Sequence, residues 1–509
     1  MMTGFRASMD WLHTWAGVVL GGLLFAIFWM GTLSVFDREI DRWMAPVTRL
    51  AVTDAPFSVE ALRASYEAAA AAKAPFWFAT LPTERDPVIQ ATWRQGERSV
   101  VHVIDPATGA ALPDPGTWAG TRFLYPFHYM LHVKLGYWIV GVAAMAMLAL
   151  CVSGVVIHRK IFVDFFTFRV DRKPRRLLLD LHNVTGVLGL PFHFVITLSG
   201  VIIFFGVYFP GTIQFAYHGE PRAFARAAYG IYDRPKLDQP GELASLDMMT
   251  DEARRLWKGE MPRYLFARNP GDAAAVMQLA RPGVDRVAGS QDVAYFDAAT
   301  GALLRQRTPP QPVLAAQRFI SGLHLIQFRH WTLRWVYFGL GLTGCVLIAT
   351  GYLFWLESRK KGHERLEEGG VRLVEGLTIG SVSGIVIATL AFFVANRLLP
   401  LGAVFLGEER AALEMWAFYL VWLAAFAHAW LRPRRAWPEQ GVAIAVLALA
   451  AVALNWITTG DHLVRTLAHR HLWAVAGMDI LLLLAAQIAG TLVARSIRKA
   501  PGRSRAASH

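Results

Sequence analysis

The chain has 509 residues, of which 54% are hydrophobic and 12% aromatic, and its formal net charge is +13. One soluble core cannot bury so much apolar surface, so this composition excludes an ordinary water-soluble protein and indicates an integral membrane protein. The positive charge does not indicate a nucleic-acid partner, because the basic residues are concentrated beside apolar runs, as in membrane proteins.

Eight apolar runs reach the length of about 20 residues that a helix needs to cross about 30 Å of hydrocarbon. The sequence therefore predicts a mainly α integral membrane bundle of about eight transmembrane helices that is surrounded by membrane lipid. The runs lie near residues 11–36, 127–157, 181–208, 322–356, 374–399, 411–430, 440–458 and 471–494.

Basic residues follow the second, fourth, sixth and eighth runs, as Arg175, Arg359, Arg432 and Arg498 illustrate. The positive-inside rule therefore places these segments and both termini in the cytoplasm. The first run is too long for the apolar core of a signal peptide, and we expect an uncleaved anchor.

Two hydrophilic segments, residues 37–125 and 209–320, then lie outside the membrane and repeat one pattern. The sequences VHVIDPATGAAL and VAYFDAATGALL each predict a strand, a tight turn and a second strand, because Asp binds backbone N–H groups and Gly adopts positive φ. A helix near residues 58–72 or 246–258 and short strands precede each turn. The sequence thus predicts two small α+β modules of one kind, each preceded and followed by a membrane span.

Four histidines occupy the ends of apolar runs in this duplicated arrangement: His13, His132, His182 and His324. The topology places His13 and His182 near the cytoplasmic face, and His132 and His324 near the outer face. Each pair can supply both axial nitrogens of a haem b, so two haems and transmembrane electron transfer are predicted. Simple anchoring of the histidines at the membrane interface is the alternative.

Three further histidines leave the axial pairing open. His193 follows His182 by eleven residues and lies on the same helix face, so one helix can serve two haems. His128 is one turn from His132 and is a candidate ligand, a support for the ligand or a substrate contact. His158 ends the second run and can replace an inner ligand or act as an interfacial residue.

Other polar residues near the runs have two interpretations each. Arg122 and Arg334 can bind haem propionates or an anionic ferric chelate, or they can anchor at the interface. Asp479 lies inside the eighth run and is a functional candidate by default, although the sequence indicates no partner. Three histidines cluster before that run without a strong metal-binding spacing. They are His462, His469 and His471.

The two cysteines, Cys151 and Cys345, fall inside apolar runs. The outside segments therefore have no disulfide framework, and the chain lacks the C-x-x-C-H sequence of covalent haem attachment. Any haem is expected to be noncovalent.

Over residues 5–358 the chain resembles the PepSY-associated transmembrane family, whose members include iron-regulated ferric-siderophore reductases of the bacterial inner membrane. The resemblance lies in LHTWAGVVLGGLLF at the start, the DPATG and DAATG turns, HNVTGVLGLPFHFVITLSG and LRWVYFGLGLTG. It implies a bacterial inner-membrane location, PepSY-like periplasmic modules and reduction of a periplasmic ferric siderophore to release Fe(II). The last four spans lie outside the resemblance, and their role stays open.

The domain organisation expected from these features has seven parts. They are a first span at 1–36, a PepSY-like periplasmic module at 37–125, two spans with a basic cytoplasmic loop at 126–208, a second module at 209–320, a fourth span at 321–358, a cytoplasmic linker at 359–373, and four further spans with a basic cytoplasmic tail at 374–509.

The predicted function is a dihaem b-type oxidoreductase that acts by electron transfer alone, without an acid–base catalytic residue. Because no G-x-G-x-x-G sequence follows a strand and no flavin domain is recognisable, the electron donor is expected to be quinol or a cytoplasmic flavoprotein. Two other classes stay open: a haem-free scaffold or regulatory protein that binds a periplasmic partner, and a transporter, which the duplicated halves and Asp479 suggest.

Overall fold

The computed structural model describes residues 4–52, 57–158, 174–283, 286–288, 292–307, 312–326, 328–359 and 368–498. The chain forms two compact units. The helical unit comprises Met1–Pro46, Gly116–Leu198 and Thr332–His509, and the sheet unit comprises Val47–Pro115 and Ser199–Trp331.

Most of the described chain is α-helical. The α-helices are α1 (Phe5–Ser34), α2 (Asp37–Met44), α3 (Arg63–Ala71), α4 (Tyr125–Met130), α5 (Gly136–Ile157), α6 (Pro174–Ile203), α7 (Phe205–Tyr208), α8 (Gly211–Ala216), α9 (Pro221–Tyr229), α10 (Leu246–Leu256), α11 (Pro312–Leu325), α12 (Trp331–Arg359), α13 (Glu368–Ile379), α14 (Ile385–Leu398), α15 (Arg410–Leu431), α16 (Pro433–Thr459), α17 (Leu463–Ala468) and α18 (Trp473–Arg498). Two π-helical segments interrupt or precede them, Ala119–Leu124 and Gly380–Gly384.

Eight helical stretches in the described residues are long and apolar enough to cross a membrane, which confirms the predicted class of fold. The first four spans are α1, α5, α6 and α12, and the fifth runs through α13, the second π-helical segment and α14. The sixth, seventh and eighth spans correspond to α15, α16 and α18.

The second and fourth spans begin later than the sequence predicted. The run at 127–157 consists of α4 and α5, separated by a break in which Leu131 and His132 both have φ of 52°. The chain turns so closely here that a Cβ on Gly136 would lie 1.6 Å from the carbonyl oxygen of Met130. Hydropathy averaged over a window does not detect such a break, because it does not report the backbone conformation of single residues.

The run predicted at 322–356 is divided in the same way. It contains the end of α11 and most of α12, and Ile326 between them has φ of 52°. His324 therefore lies on α11, which precedes the fourth span in the chain, and not at the start of that span.

The fifth span is the most buried of the eight, with 78% of its apolar window inside the helical unit. Gly376, Gly380 and Gly384 repeat every four residues along one face of it. A Cβ on Gly376 would lie 2.0 Å from the Trp430 ring, and one on Gly380 would lie 2.1 Å from the Phe426 ring. Small residues at this spacing let α15 approach closely, which is how helices pack in lipid.

The sheet unit contains one antiparallel sheet of seven strands in the order β3-β2-β1-β4-β5-β6-β7. Helices α3 and α10 pack on one face through a core that includes Trp77, Leu265 and Met249. The strands are β1 (Phe76–Thr80), β2 (Ile89–Gln95), β3 (Arg98–Ile104), β4 (Tyr264–Arg268), β5 (Val276–Ala280), β6 (Val293–Asp297) and β7 (Leu303–Gln306).

The predicted helix-and-strand content of the two outside segments is present, but the segments share one sheet instead of forming separate modules. β1 of the first segment pairs with β4 of the second over five residue pairs, from Phe76↔Arg268 to Thr80↔Tyr264. In a separate module, the first strand would lie at a sheet edge with unpaired backbone N–H and C=O groups. The pairing of β1 with β4 provides hydrogen-bond partners for these groups in both strands. Residues 37–44 and 116–125, which the sequence assigned to the first module, belong to the helical unit.

The repeated turns have the predicted chemistry. The Asp105 carboxylate accepts the N–H of Ala107, and the Asp297 carboxylate accepts the N–H groups of Ala299 and Thr300. Gly109 and Gly301 follow with φ of 69° and 74°. The strand predicted after the first turn is reduced to a single bridge between Ile104 and Ala111, whereas β7 follows the second turn.

Candidate cofactor site in the helical unit

His13 and His182 come together although 169 positions separate them in the chain. His13 projects from α1 and His182 from α6, and their ring centres lie 6.4 Å apart with the ring planes at 83°. With a metal–nitrogen bond of about 2 Å and about 1 Å from nitrogen to ring centre, two imidazoles on opposite sides of one metal have centres about 6 Å apart. The spacing of this pair thus fits axial ligation of one haem iron.

Hydrogen bonds orient both rings and define their tautomers. His182 Nδ1 lies 2.9 Å from the carbonyl oxygen of Leu347, which can only accept, so Nδ1 carries the proton. His13 Nδ1 lies 3.0 Å from Ser153 Oγ, and Ser153 donates its own proton to the Leu150 carbonyl. Both Nε2 atoms are left with a lone pair, which is the form of imidazole that binds a metal.

Glycines lie beside both rings. A Cβ on Gly154 of α5 would lie 3.3 Å from His13 Cε1, and a Cβ on Gly351 of α12 would lie 3.1 Å from His182 Cε1. At the level of the histidine pair, α5 and α12 therefore each have a residue without a side chain. Such positions leave lateral space for a flat macrocycle between the helices.

A cavity of about 1000 Å³ surrounds the pair. Its walls are mostly apolar, with Val18, Leu24 and Met147 among them. Four arginines also line it, and their guanidinium groups are suited to carboxylates such as haem propionates. They are Arg6, Arg175, Arg176 and Arg359.

These residues fit a noncovalent haem b on three counts. The two imidazoles have the required spacing and tautomer, the glycines leave room at their level, and the apolar walls carry arginines for two carboxylates. An imidazole nitrogen with a free lone pair in a membrane span requires a partner, and a cofactor would supply one.

His193 and His158 line the same cavity. His193 is buried on α6, three turns from His182, in an edge-to-face contact with Phe28 at 5.8 Å. Its Nε2 lies 3.3 Å from Thr343 Oγ1, while Nδ1 makes no hydrogen bond within the described residues. The predicted common face of His182 and His193 is confirmed. His158 ends α5 and donates its backbone N–H to Gly154.

His132 does not start the second span, as the sequence predicted, but lies in the break between α4 and α5. Its ring stacks on Phe123 with centres 5.1 Å apart, and its Nε2 donates to the Phe123 carbonyl at 2.8 Å. His128, which lies on α4, donates from Nδ1 to the Ile27 carbonyl at 2.8 Å and lies against Gly31 of α1. A Cβ at Gly31 would be 2.6 Å from the His128 ring, so this glycine is required for the contact.

His324 belongs to the sheet unit, where its Nδ1 lies 3.2 Å from Ser199 Oγ and its ring contacts Gly200. The predicted outer pair of His132 and His324 is thus divided between the two units.

The two predicted arginine sites have different environments. Arg334 is only 3% exposed and donates to the Val35 carbonyl at 3.3 Å, so it is a buried residue and not an anchor at the surface. Arg122 is exposed on the first π-helical segment.

Two buried carboxylates have partners that the sequence did not reveal. Asp479 accepts from Trp43 Nε1 at 2.8 Å and from Asn455 Nδ2 at 3.3 Å, which connects α2, α16 and α18. Glu414 is fully buried on α15 and contacts a hydroxyl, an amide and a guanidinium group. These partners are Thr117, Asn396 and Arg410. A lone carboxylate inside the run at 411–430 was the available signal for this second cluster.

The three histidines before the last span make local contacts. His462 Nδ1 accepts the Arg465 N–H and caps α17, and His469 Nδ1 donates to the Arg465 carbonyl. The rings of His469 and His471 are 5.8 Å apart, but the described residues contain no group of three potential metal ligands.

The fold and this site define a multi-pass helical membrane protein whose first four spans surround a histidine pair and whose intervening segments share one sheet. Residues 11–358 match the family described as PepSY-associated TM region, and the chain belongs to that family. An uncharacterized protein of Pseudomonas aeruginosa is 29% identical over 330 residues, which cover 62% of this chain and 80% of that protein. The last four spans lie outside the family match.

Proposed function

We propose that the chain is a dihaem b-type oxidoreductase of the bacterial inner membrane, which passes electrons to a periplasmic ferric siderophore and releases Fe(II). The observation that supports it most directly is the pairing of His13 and His182 at a ring-centre distance of 6.4 Å, each with Nδ1 engaged. A haem bound there supplies a one-electron carrier inside the bilayer.

The residues of the chain have positioning roles in this proposal. Ser153 and the Leu347 carbonyl hold the two imidazole rings with Nε2 presented, and apolar side chains line most of the cavity around them. The arginines at the cavity would hold the propionates of a bound haem. Two histidines among His193, His128, His132 and His324 are proposed as the ligands of the second haem.

The reaction proposed for the substrate is a one-electron reduction. One electron converts Fe(III) to Fe(II), and the softer Fe(II) is held less tightly by hard oxygen donors, so the siderophore releases it. The donor is quinol or a cytoplasmic flavoprotein. A quinol gives up two electrons and two protons, so one quinol reduces two ferric ions.

The first test is the absorption spectrum of purified His13→Ala and His182→Ala variants produced with excess haem. Because each variant removes one axial nitrogen, we expect both to lose the same low-spin α band in the reduced-minus-oxidised spectrum, with about one haem lost per chain. His469→Ala, an exposed histidine, is the matched control and retains the wild-type spectrum.

Wild-type spectra in both variants would exclude the pair as ligands. A colourless wild-type protein from haem-replete cells would instead favour a haem-free scaffold or a transporter. Alanine at His132 or His324 tests the second haem in the same way, and two haems per wild-type chain are expected.

The second test addresses the acceptor. The haem-loaded protein is reduced under anaerobic conditions and mixed with a ferric siderophore, while haem oxidation and Fe(II) trapping by a colorimetric chelator are followed together. The gallium(III) form of the same siderophore is the control, because it binds alike and cannot be reduced. Haem that stays reduced with the ferric form would contradict the proposed activity.

A further inference from the structure

One face of the sheet carries a row of side chains that includes aromatic rings. The register places Phe78, Phe266, Gln278, Tyr295 and Arg305 side by side across five neighbouring strands. The opposite face carries Trp77 and Leu265 and is covered by α3 and α10. Tyr295 is buried against Tyr232, whereas Phe78 and Phe266 are partly exposed. Exposed aromatic rings that lie side by side often mark a binding site.

A groove of about 310 Å³ lies on this face. Phe78 packs against Tyr264 with ring centres 5.5 Å apart, and Tyr232 packs against Tyr295 at 5.8 Å. All four rings and Phe266 line the groove. Binding sites for small molecules have this volume and this character, with aromatic walls and a few polar groups that fix the ligand.

The charged groups of the groove leave an excess of positive charge. Arg234 is paired with Asp297 at 2.9 Å, and Asp233 is paired with Arg226 at 3.6 Å. Arg268 lies 5.9 Å from the centre of the Phe266 ring and has no carboxylate partner among the described residues. An unpaired guanidinium beside an aromatic ring is suited to an anion that also carries a ring.

Two further arginines lie close to the groove. Arg318 lies 5.9 Å from the Tyr229 ring, and a Cβ on Gly230 would lie 3.4 Å from Arg307 Nε. Gly230 precedes the Ile231–Arg234 wall of the groove. Neither arginine has a carboxylate partner in the described part of the sheet unit. The buried Nε of Arg234 is also without a hydrogen bond among those residues. Together these groups increase the attraction of the groove for an anion.

We propose that this groove binds an anionic aromatic chelate of Fe(III), with an aryl ring on Phe78 and Phe266 and a negative oxygen on Arg268. The inference rests on the proposed function and specifies its substrate class: aryl iron chelates such as catecholates, in preference to aliphatic hydroxamates. Three catecholate dianions around Fe(III) leave a net negative charge and offer rings, whereas three hydroxamate anions give a neutral complex without rings.

The test measures binding to the purified full-length protein by equilibrium dialysis. The probes are the ferric tris complex of 2,3-dihydroxybenzoate and the ferric tris complex of acetohydroxamate. The variants are Arg268→Gln, Arg268→Lys and Phe266→Leu. The matched control is Arg255→Gln, because Arg255 is an exposed arginine on the helix-covered side of the same sheet.

We expect the catecholate complex to bind at least about tenfold more tightly than the hydroxamate complex, since a charge-assisted contact and ring stacking distinguish them. Arg268→Gln and Phe266→Leu each weaken catecholate binding by about tenfold. Arg268→Lys retains more of it, and Arg255→Gln has no effect. The conservative lysine variant and an unchanged haem spectrum exclude misfolding as the cause.

Equal binding of the two complexes, or catecholate binding that Arg268→Gln leaves unchanged, would overturn the proposal. Dialysis requires no electron transfer, so the groove and the redox function are tested separately. A protein with intact haem and no catecholate binding contradicts the groove alone. A protein that binds the complex but never reduces it contradicts the proposed function alone.

Discussion

At the scale of single residues, two hydrogen bonds determine what the His13–His182 pair can do. A free imidazole exchanges its proton between two nitrogens, and only the unprotonated nitrogen binds a metal. The Leu347 carbonyl and Ser153 Oγ hold the proton on Nδ1 of each ring. The site is therefore prepared for a ligand at Nε2 before any cofactor enters.

Ser153→Ala removes the hydroxyl that accepts from His13 Nδ1. Because groups that orient a metal ligand contribute about 10- to 100-fold to affinity, we expect haem to dissociate about tenfold or more faster from this variant. Transfer of haem to apomyoglobin, followed by absorption, measures the rate. Thr491→Ala, which removes an exposed hydroxyl bonded only within α18, is the control, and equal rates in both variants would show that Ser153 does not support the ligand.

Two glycines of α12 allow a controlled test of whether the space beside the His182 ring is needed for haem binding. A methyl group at Gly351 would meet His182 Cε1 at 3.1 Å, whereas one at Gly339 has nothing within 4 Å. We expect Gly351→Ala to lower haem occupancy and Gly339→Ala to leave it unchanged, because a ring displaced by a few tenths of an ångström loses ligation geometry. Haem content per chain is the readout. Equal content in the two variants would contradict the role of Gly351.

At the scale of elements, the connection between α2 and the first π-helical segment depends on Asp41. Its carboxylate accepts the N–H groups of Gly120 and Thr121 at 2.8 and 3.0 Å, as well as the Thr121 hydroxyl. Donors at a helix start have no partner within the helix, and here a carboxylate supplies one. Burial raises the pKa of Asp41 to about 6, more than the nearby Arg38 guanidinium lowers it.

This raised pKa makes stability depend on pH. The pKa in the unfolded chain is about 3.9, so the folded protein binds the proton more strongly; the resulting stabilisation is complete below about pH 4 and is lost as the pH rises through about 6. Asp41→Asn does not titrate and is the reference. Relative to it, the free energy of unfolding of the wild type should fall by about 2 kcal/mol between pH 4 and 7. This value is an upper limit, because the Asp41 side chain is 23% exposed. Thermal unfolding in detergent at both pH values measures it, and parallel curves for the two proteins would refute the assignment.

At the scale of the whole molecule, the duplication produces a shared sheet. The first strands of the two repeats, β1 and β4, pair antiparallel, so each repeat completes the sheet of the other. Seven strands then have two edges, β3 and β7, where separate modules would have four. Burying two edges favours this arrangement, because unpaired strand edges are prone to wrong pairing.

A pair of cysteines tests this sheet. Thr80 and Tyr264 are directly opposite across β1 and β4, and opposite residues have Cα atoms about 4.5 to 5.5 Å apart, within disulfide range. We expect the double variant Thr80→Cys with Tyr264→Cys to form a disulfide upon mild oxidation. After a protease cut between the repeats, the two fragments would then stay joined on a non-reducing denaturing gel. Thr80→Cys with Ala280→Cys, one strand further, should not crosslink, and efficient crosslinking there would contradict the register.

The eight membrane spans, the Asx turns at Asp105 and Asp297 and the common face of His182 and His193 could all be predicted from the sequence. Each depends on local geometry: hydrophobic length, turn chemistry and a helix repeat of 3.6 residues. The sequence also indicated His13 and His182 as candidates, because they recur at the ends of apolar runs.

Only the tertiary structure decided which groups meet. Ser153 is 140 positions from His13, and Leu347 is 165 positions from His182, so no local pattern indicates either contact. The break that removes His132 from the second span lies inside a run that is apolar on average. The pairing of β1 with β4 joins two segments that are distant in the chain. Hydropathy and periodicity show which face of a single helix or strand is apolar. The pairing of two ligands or of two strands depends on packing between elements that are distant in the chain.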